Sequence, residues 1–224
     1  QPVGRLIVNA DDFGLTSGVN RAVMELHAAG VLTSTTLMAH EQATNEAIEM
    51  GLATPTLGVG CHVVLIDGTP GLPARQIPSL VDARTGRFPH SLGMFLARLF
   101  SGRIRPAEIE AEAAAQIGLL RNRGLRLTHI DSHKHTHMFP AVLRPLLRAA
   151  RAEGIRAVRN PFEPVWAMRA TPRTLLLRRA EETVLRCFQP MLRRIISEEG
   201  FATTDGTVAV VGTGAPEAPP MAVA

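Results

Sequence analysis

The chain has 224 residues, 46% of them hydrophobic, and a formal net charge of +4. This length and apolar content suit one α/β domain with a substantial core. Lys134 is the only lysine, and the arginines lie between apolar residues and glutamates, which argues against a nucleic-acid-binding protein. No apolar run approaches the roughly 18 residues of a membrane span, and the Gln1-Pro2 start lacks the basic region of a signal peptide. We therefore expect a soluble, cytoplasmic protein.

Predicted strands and helices alternate from the N-terminus to residue 65. An apolar run of the buried-strand type precedes a polar turn and a helix that Ser17 can cap and Gly30 can end. The same order recurs, and it favours parallel strands with crossover helices, in either a barrel or an open doubly wound sheet. The predicted elements are a strand at 6–9, a turn at 10–16, a helix at 18–29, a strand at 33–39, a helix at 41–52 and a strand at 57–65.

Residues 66–90 interrupt this alternation with prolines and glycines over a stretch too long for an ordinary connection. We interpret this stretch as a functional loop that can act as a lid. The alternation then resumes, and Pro106 is well placed to open a strong amphipathic helix. The predicted elements here are a helix at 106–123, a strand at 125–131, a helix at 140–153 and a strand at 155–158.

The C-terminal part of the chain has a different pattern. Residues 173–199 read as a basic amphipathic helix that Pro190 should kink. Such a pattern is typical of a helix that faces the core with solvated arginines, and a membrane-surface helix is the alternative. Residues 204–224 are atypical, and we expect this tail to be disordered. The sequence thus predicts a single domain over residues 1–203.

Histidines are concentrated in one short segment, HIDSHKHTH at residues 129–137, which holds four of the eight in the chain. The row places a histidine or an aspartate at every second position, the period that points side chains to one face of a strand. Imidazole beside carboxylate is a common ligand combination for zinc and similar divalent ions. The row therefore predicts a metal-dependent enzyme. Its members are His129, Asp131, His133, His135 and His137.

Candidate ligands follow three of the predicted strands, whose carboxyl ends should meet at one edge of the fold. These are the acid pair Asp11 and Asp12, then His62, then His133. A carboxylate and two imidazoles from separate strands would leave open positions for water and substrate. Taken singly, the acid pair could cap the next helix, and His62 could be a satisfied core residue.

The other members of the row are expected to lie around the metal ligands. We expect His129 and Asp131 to lie deeper in the strand and to support the ligands. We expect His135 and His137 to lie further into the loop, where they contact either substrate or solvent.

Four segments resemble one known family. NADDFGLTSGVNRAV at 9–23, LGVGCHVVL at 57–65 and THIDSHKHTHMFP at 128–140 resemble the YdjC-like carbohydrate deacetylases. IPSLVDARTGRF at 77–88 resembles the branch of that family associated with hopanoid biosynthesis. The resemblance covers roughly residues 5–161, with the motifs in the family's order.

This resemblance implies an incomplete or distorted (β/α) barrel that removes acetyl groups from N-acetylated amino sugars. It implies that Asp12, His62 and His133 hold one divalent metal ion, Zn or Mg, and that Asp11 is the general base. For the hopanoid branch the implied substrate is an N-acetylglucosaminyl hopanoid. Residues 173–199 would then dock on a lipid surface at the inner membrane.

The sequence also departs from the family's pattern. No histidine follows His137, and the chain after residue 203 does not resemble the family's ending, so we expect a truncated or frameshifted terminus. His135 or His137 would then replace the family's general acid. Two alternatives stay open, a metal-dependent phosphoesterase with two ions and a sugar- or lipid-binding protein that has lost catalysis. The expected partner is an acetylated amino sugar or glycolipid, and a homo-oligomer is also open.

Overall fold

The computed structural model describes residues 6–164 and 186–208. Within them, six parallel strands form one sheet in which each strand neighbours the next along the chain. A doubly wound sheet reverses its strand order, whereas sequential order is that of a barrel wall. In the described residues the first and the sixth strand are the edges of the sheet, so the sheet does not close into a barrel. The predicted α/β fold is therefore confirmed as an open sheet of parallel strands. The strands are β1 (Asn9–Phe13), β2 (Ser34–Leu37), β3 (Gly58–Val63), β4 (Leu127–Ser132), β5 (Ala157–Val158) and β6 (Ala202–Thr203).

Six α-helices of the described part of the chain accompany this sheet, and their ends follow local chemistry. The Thr16 side chain accepts a hydrogen bond from Val19 N and caps the first helix, one residue before the predicted cap Ser17. Pro106 and Pro140 occupy first turns, where a missing N–H costs nothing. The helices are α1 (Ser17–Ala28), α2 (Thr44–Ala53), α3 (Leu92–Phe100), α4 (Pro106–Asn122), α5 (Pro140–Ala152) and α6 (Gln189–Glu198).

The first strand lies later than predicted. Leu6 and Ile7, the apolar start of the predicted strand, are 69% and 58% exposed, and the strand begins only at Asn9. The predicted turn over Ala10 to Thr16 is therefore wrong in its first half. The β1–β2 register shifts between Ala10 and Phe13, and Asp12 has a positive φ of 63°. Because of this irregularity, the Asp12 side chain does not follow the alternating side-chain directions of a regular strand.

Residues 64–91, all of which the structure describes, form no helix or strand. They are nevertheless packed, since Leu65, Ile66, Ile77, Leu80 and Phe88 belong to the core. Three side chains on one face of α4 hold the backbone of this loop. Glu112 accepts from Gly71 N and Leu72 N at 2.7 and 3.0 Å, Glu108 accepts from Ser79 N at 2.7 Å, and Gln116 bonds both backbone groups of Val64. The loop is thus fixed to α4 over much of its length.

The C-terminal region differs from its prediction in two ways. Pro190 lies in the first turn of α6 and begins this helix, so the predicted kink at Pro190 is wrong. Leu192, Ile195 and Ile196 are buried against the core, as expected for a core-facing helix. The short strand β6 was not predicted. Residues 173–185 of the predicted basic helix and residues 209–224 of the tail lie outside the described residues, and no described helix is long and apolar enough to cross a bilayer.

Candidate metal centre

The histidine row does not lie on one strand. β4 ends at Ser132, and His133–Met138 form a 3₁₀ turn in which Lys134 and His135 have positive φ angles of 53° and 52°. The prediction of a single face is therefore wrong beyond Ser132. Two consecutive residues in the left-handed region reverse the backbone, so the imidazoles after the strand point in different directions.

Asp12, His62 and His133 come together at the carboxyl ends of β1, β3 and β4. Asp12 Oδ1 lies 3.3 Å from His62 Nε2 and 3.1 Å from His133 Nδ1. One ligand atom from each residue lies within 4.8 Å of the other two. The two imidazole rings meet edge to face with centroids 5.6 Å apart. The structure thus places the three predicted ligands around one point.

The donor set of this trio fits a divalent cation. Two imidazole nitrogens and one carboxylate oxygen are the ligands of many catalytic zinc sites, which keep a further position open. His62 is buried, whereas the Asp12 side chain is 35% exposed, so the point between them is reached from solvent. Among the described residues this is the only group of three such ligands that could share an ion. Cation binding itself stays a prediction.

His62 is held from behind by a buried carboxylate. Its Nδ1 lies 2.6 Å from Asp131 Oδ1, and Thr36 Oγ1 donates to Asp131 Oδ2 at 3.3 Å. Burial alone would lower the pKa of His62, but Asp131 and the hydrogen bond to Asp12 raise it to about 10. Burial would likewise raise the pKa of Asp131, yet His62 and Arg159 hold it well below its usual range. Asp131 therefore has the supporting position that the sequence predicted for it.

His129 occupies a different place from Asp131. Its Nδ1 lies 2.8 Å from Thr128 Oγ1, and its ring packs against the backbone of Gly60. Burial lowers the pKa of His129. No hydrogen bond joins this ring to a trio residue among the contacts of the described residues, so its predicted support of the ligands is not seen.

Asp11 lies beside the trio, and its carboxylate forms an ion pair with a residue that was not predicted from the sequence. Asp11 Oδ1 accepts from Arg159 Nη1 at 2.6 Å and from Asn9 Nδ2 at 2.7 Å. The same Arg159 Nη1 lies 3.2 Å from Asp131 Oδ2. Burial would lower the pKa of Arg159, but the two carboxylates raise it. Arg159 directly follows β5, so the rule that strand ends carry the site would have found it.

His137 is completely buried, and both of its ring nitrogens have partners. Nδ1 lies 2.7 Å from Ser132 Oγ, and Nε2 lies 3.1 Å from the carbonyl oxygen of Arg159. Burial and the neighbouring His135 lower the pKa of His137 to about 3. The ring is therefore neutral and donates from Nε2 to that carbonyl. The expected contact of His137 with solvent is wrong, and its catalytic role stays a prediction.

One ring nitrogen of His135 is available for a further hydrogen bond. Its Nδ1 is buried, and it has no hydrogen-bond partner among the described residues. Burial and Arg159 lower the pKa of His135, so this ring is also neutral. A buried nitrogen without a partner is costly unless a ligand or water fills the position.

Comparisons with known proteins identify relatives of this chain. The family model of YdjC-like proteins matches residues 5–219. A carbohydrate deacetylase of Brevibacillus brevis is 44% identical, over 70% of this chain and 60% of the relative. A carbohydrate deacetylase of Geobacillus stearothermophilus is 40% identical, over 71% of this chain and 59% of the relative. This chain therefore spans about 60% of the length of these curated relatives.

A solved structure shares the fold. The crystal structure of a candidate cellobiose-phosphate cleavage protein from Enterococcus faecalis V583 superposes with a TM-score of 0.64 at 30% identity. The match covers 89% of this chain and 66% of the other.

Proposed function

Because this chain belongs to the YdjC-like family, we propose that it is a carbohydrate deacetylase that hydrolyses the N-acetyl group of an amino sugar with one divalent cation, Zn²⁺ or Mg²⁺. The observation that carries the proposal is the convergence of Asp12, His62 and His133 beside Asp11. Relatives named carbohydrate deacetylases, at 44% and 40% identity, support the same reaction.

Asp12, His62 and His133 would hold the cation in this proposal. When bound there, the cation would supply polarisation of the acetyl carbonyl and a lower pKa of water, which a poorly electrophilic amide requires. The Asp131 carboxylate accepts from His62 Nδ1, and this bond orients His62 Nε2 toward the centre.

Asp11 is our candidate for the general base. Arg159 and Asn9 both bind its Oδ1, and within the described residues no hydrogen bond reaches Oδ2. Arg159 therefore fixes the carboxylate while Oδ2 stays available to accept the proton of the attacking water. The side chain of Asp11 is 31% exposed, which leaves it accessible to that water.

His135 is our candidate for a second group that contacts the substrate, in addition to Asp11. Its Nδ1 has no protein partner among the described residues, and the neutral ring carries one N–H. That ring can donate a hydrogen bond to a substrate oxygen, while the proton that Asp11 takes from water can pass to the departing nitrogen. His137 serves the reaction indirectly in this proposal, because its bond to the Arg159 carbonyl helps to hold the residue that grips Asp11.

We further propose an N-acetylglucosaminyl hopanoid as the substrate, in the cytoplasm at the inner membrane. This finer assignment depends on the resemblance of residues 77–88 to the hopanoid-associated branch. The acetylated sugar would enter the centre, and the lipid part would stay outside it.

Acetate release from N-acetylglucosaminyl substrates by the zinc- or magnesium-loaded protein tests the proposal. Asp11→Asn should lower the rate by roughly 10²–10⁴-fold while cation binding persists, because it removes the base and keeps the shape. His133→Ala should abolish cation uptake with little change in folding. Asp82→Asn, a change in the long loop, is the control. A metal-loaded protein that binds the acetylated sugar without releasing acetate would contradict the proposal and favour a binding protein.

A further inference from the structure

The helix α3 carries an exposed apolar face. Met94 is 47% exposed and Phe100 is 65% exposed. Ala97 is exposed between them, and the spacing of three residues places the three on one side of the helix. On the opposite side Phe95 is fully buried in the core. We name Met94, Ala97 and Phe100 the α3 ridge.

Positive charge surrounds the α3 ridge. Residues 83–107 contain five arginines and no acidic residue. Four of them line an open groove of about 570 Å³ beside the helix, and one acid, Asp82, also lines it. The Asp82 carboxylate accepts from the backbone of residues 84 and 85. We name the four the arginine groove: Arg84, Arg98, Arg103 and Arg105.

The four arginines of the groove differ in their side-chain partners. Arg98 donates to the Val81 carbonyl at 3.0 Å, and Arg105 pairs with Glu108 at 3.1 Å. Arg84 and Arg103, in contrast, make no side-chain hydrogen bond or ion pair to the described residues. Both are exposed, so the groove presents at least two free guanidinium groups to an anion.

This surface lies at the same end of the sheet as the metal centre. Before α3, the Pro89 carbonyl accepts from Asp67 N at 2.9 Å, and the Asp67 carboxylate binds Lys134, next to His133. At the other end of α3, Phe100 meets Phe139 with ring centroids 5.8 Å apart. Phe139 lies between the turn that carries the histidine row and the start of α5.

We propose that the α3 ridge and the arginine groove dock this protein on an anionic phospholipid bilayer. An exposed apolar helix face beside cationic side chains is the pattern of interfacial helices, in which the apolar groups enter the headgroup boundary and the charges attract anionic lipids. Charge complementarity identifies the partner, since the groove has four guanidinium groups and only two neighbouring carboxylates, those of Asp82 and Glu108. Docked in this way, the protein turns the end that carries the metal centre toward the lipid.

Sedimentation of the full chain with vesicles tests this docking without substrate or metal, so its outcome is independent of the proposed deacetylation. The protein should sediment with vesicles of phosphatidylcholine and phosphatidylserine, and far less with phosphatidylcholine alone. Added salt should weaken the binding. Arg84→Gln and Arg103→Gln should each lower the partition coefficient roughly fivefold. Met94→Ser should lower it on the order of tenfold.

Matched controls lie at the opposite end of the sheet, where Leu52 and Arg126 line another open groove. Leu52→Ser and Arg126→Gln make the same chemical changes and should leave vesicle binding unaltered, with all variants checked for folding by circular dichroism. Equal binding to neutral and anionic vesicles would overturn the proposal, as would α3 variants that bind like the wild type. A dimer in gel filtration that Met94→Ser dissociates, without vesicle binding, would assign the ridge to a second copy and also overturn it.

Discussion

Replacing Asp131 by asparagine removes one charge from behind the proposed metal centre and keeps the volume of the side chain. The Asp131 carboxylate is completely buried and contacts three groups, His62 Nδ1 at 2.6 Å, Arg159 Nη1 at 3.2 Å and Thr36 Oγ1 at 3.3 Å. An asparagine oxygen can accept from one of the first two donors. Its NH₂ group would then face the other donor, because an amide has a single acceptor atom.

The expected loss can be worked out from these contacts. Loss of a carboxylate that supports a metal-bound histidine typically costs 10–100-fold in metal affinity, or about 1.4–2.7 kcal/mol. Removing one partner of a buried ion pair also costs about 3–5 kcal/mol of folding free energy. Because the pKa of Asp131 lies well below that of an unfolded aspartate, the stabilisation by Asp131 is present above about pH 4 and is lost as the pH falls further.

Competition with a chromophoric chelator measures the zinc affinity of the variant, and urea denaturation measures its stability. Asp82→Asn is the matched control, because Asp82 makes its hydrogen bonds to backbone amides in the long loop. We expect Asp131→Asn to bind zinc 10–100-fold more weakly than the control. Wild-type zinc affinity in a folded Asp131→Asn variant would refute the reasoning, since His62 would then not depend on the carboxylate behind it.

Two other structural features give stability predictions that thermal and urea denaturation can check. Gly60→Ala should destabilise the protein by about 1–3 kcal/mol, because its Cβ would lie 2.6 to 2.8 Å from ring atoms of His129. Gly118→Ala in α4, where a Cβ meets nothing within 4 Å, should stabilise it by roughly 0.5–1 kcal/mol, and equal effects at the two sites would contradict the packing argument. A double-mutant cycle on the partly exposed Lys134–Asp67 pair, 2.9 Å apart, should give a coupling of only about 0.2–1 kcal/mol.

The alternation of strands and helices could be predicted from sequence because it depends on local patterns. The helices around Pro106 and Pro140 have long apolar stripes and clear start signals, and the structure reproduces them to within one or two residues. The helix α3 was missed, since a short and mostly apolar run cannot be assigned to a helix or a strand from its pattern alone. The strand β6 has two residues and exists through its pairing with β5, a contact that no local pattern encodes.

The position of the ligand trio could also be predicted, because parallel strands bring their carboxyl ends to one edge. The shape of the histidine row could not. Alternation predicted one common face for the row, but the backbone turns at Lys134 and His135, which both have positive φ. The hydrogen bonds of Ser132 to Thr136 and His137 hold that turn, and they form only once the chain has already folded back.

The contacts of His62 imply that a proton and a cation compete for the same position. Its two ring nitrogens face carboxylate oxygens, Asp131 at 2.6 Å and Asp12 at 3.3 Å. Burial would lower the pKa of His62, but these acids raise it to about 10, so without a cation both nitrogens carry protons at about pH 8. A cation bound through Nε2 must displace one of them, and its affinity should fall about tenfold for each pH unit below that pKa. Calorimetry in two buffers of different ionisation enthalpy should therefore detect about one proton released per zinc ion, and binding without release would mean that His62 is not a ligand.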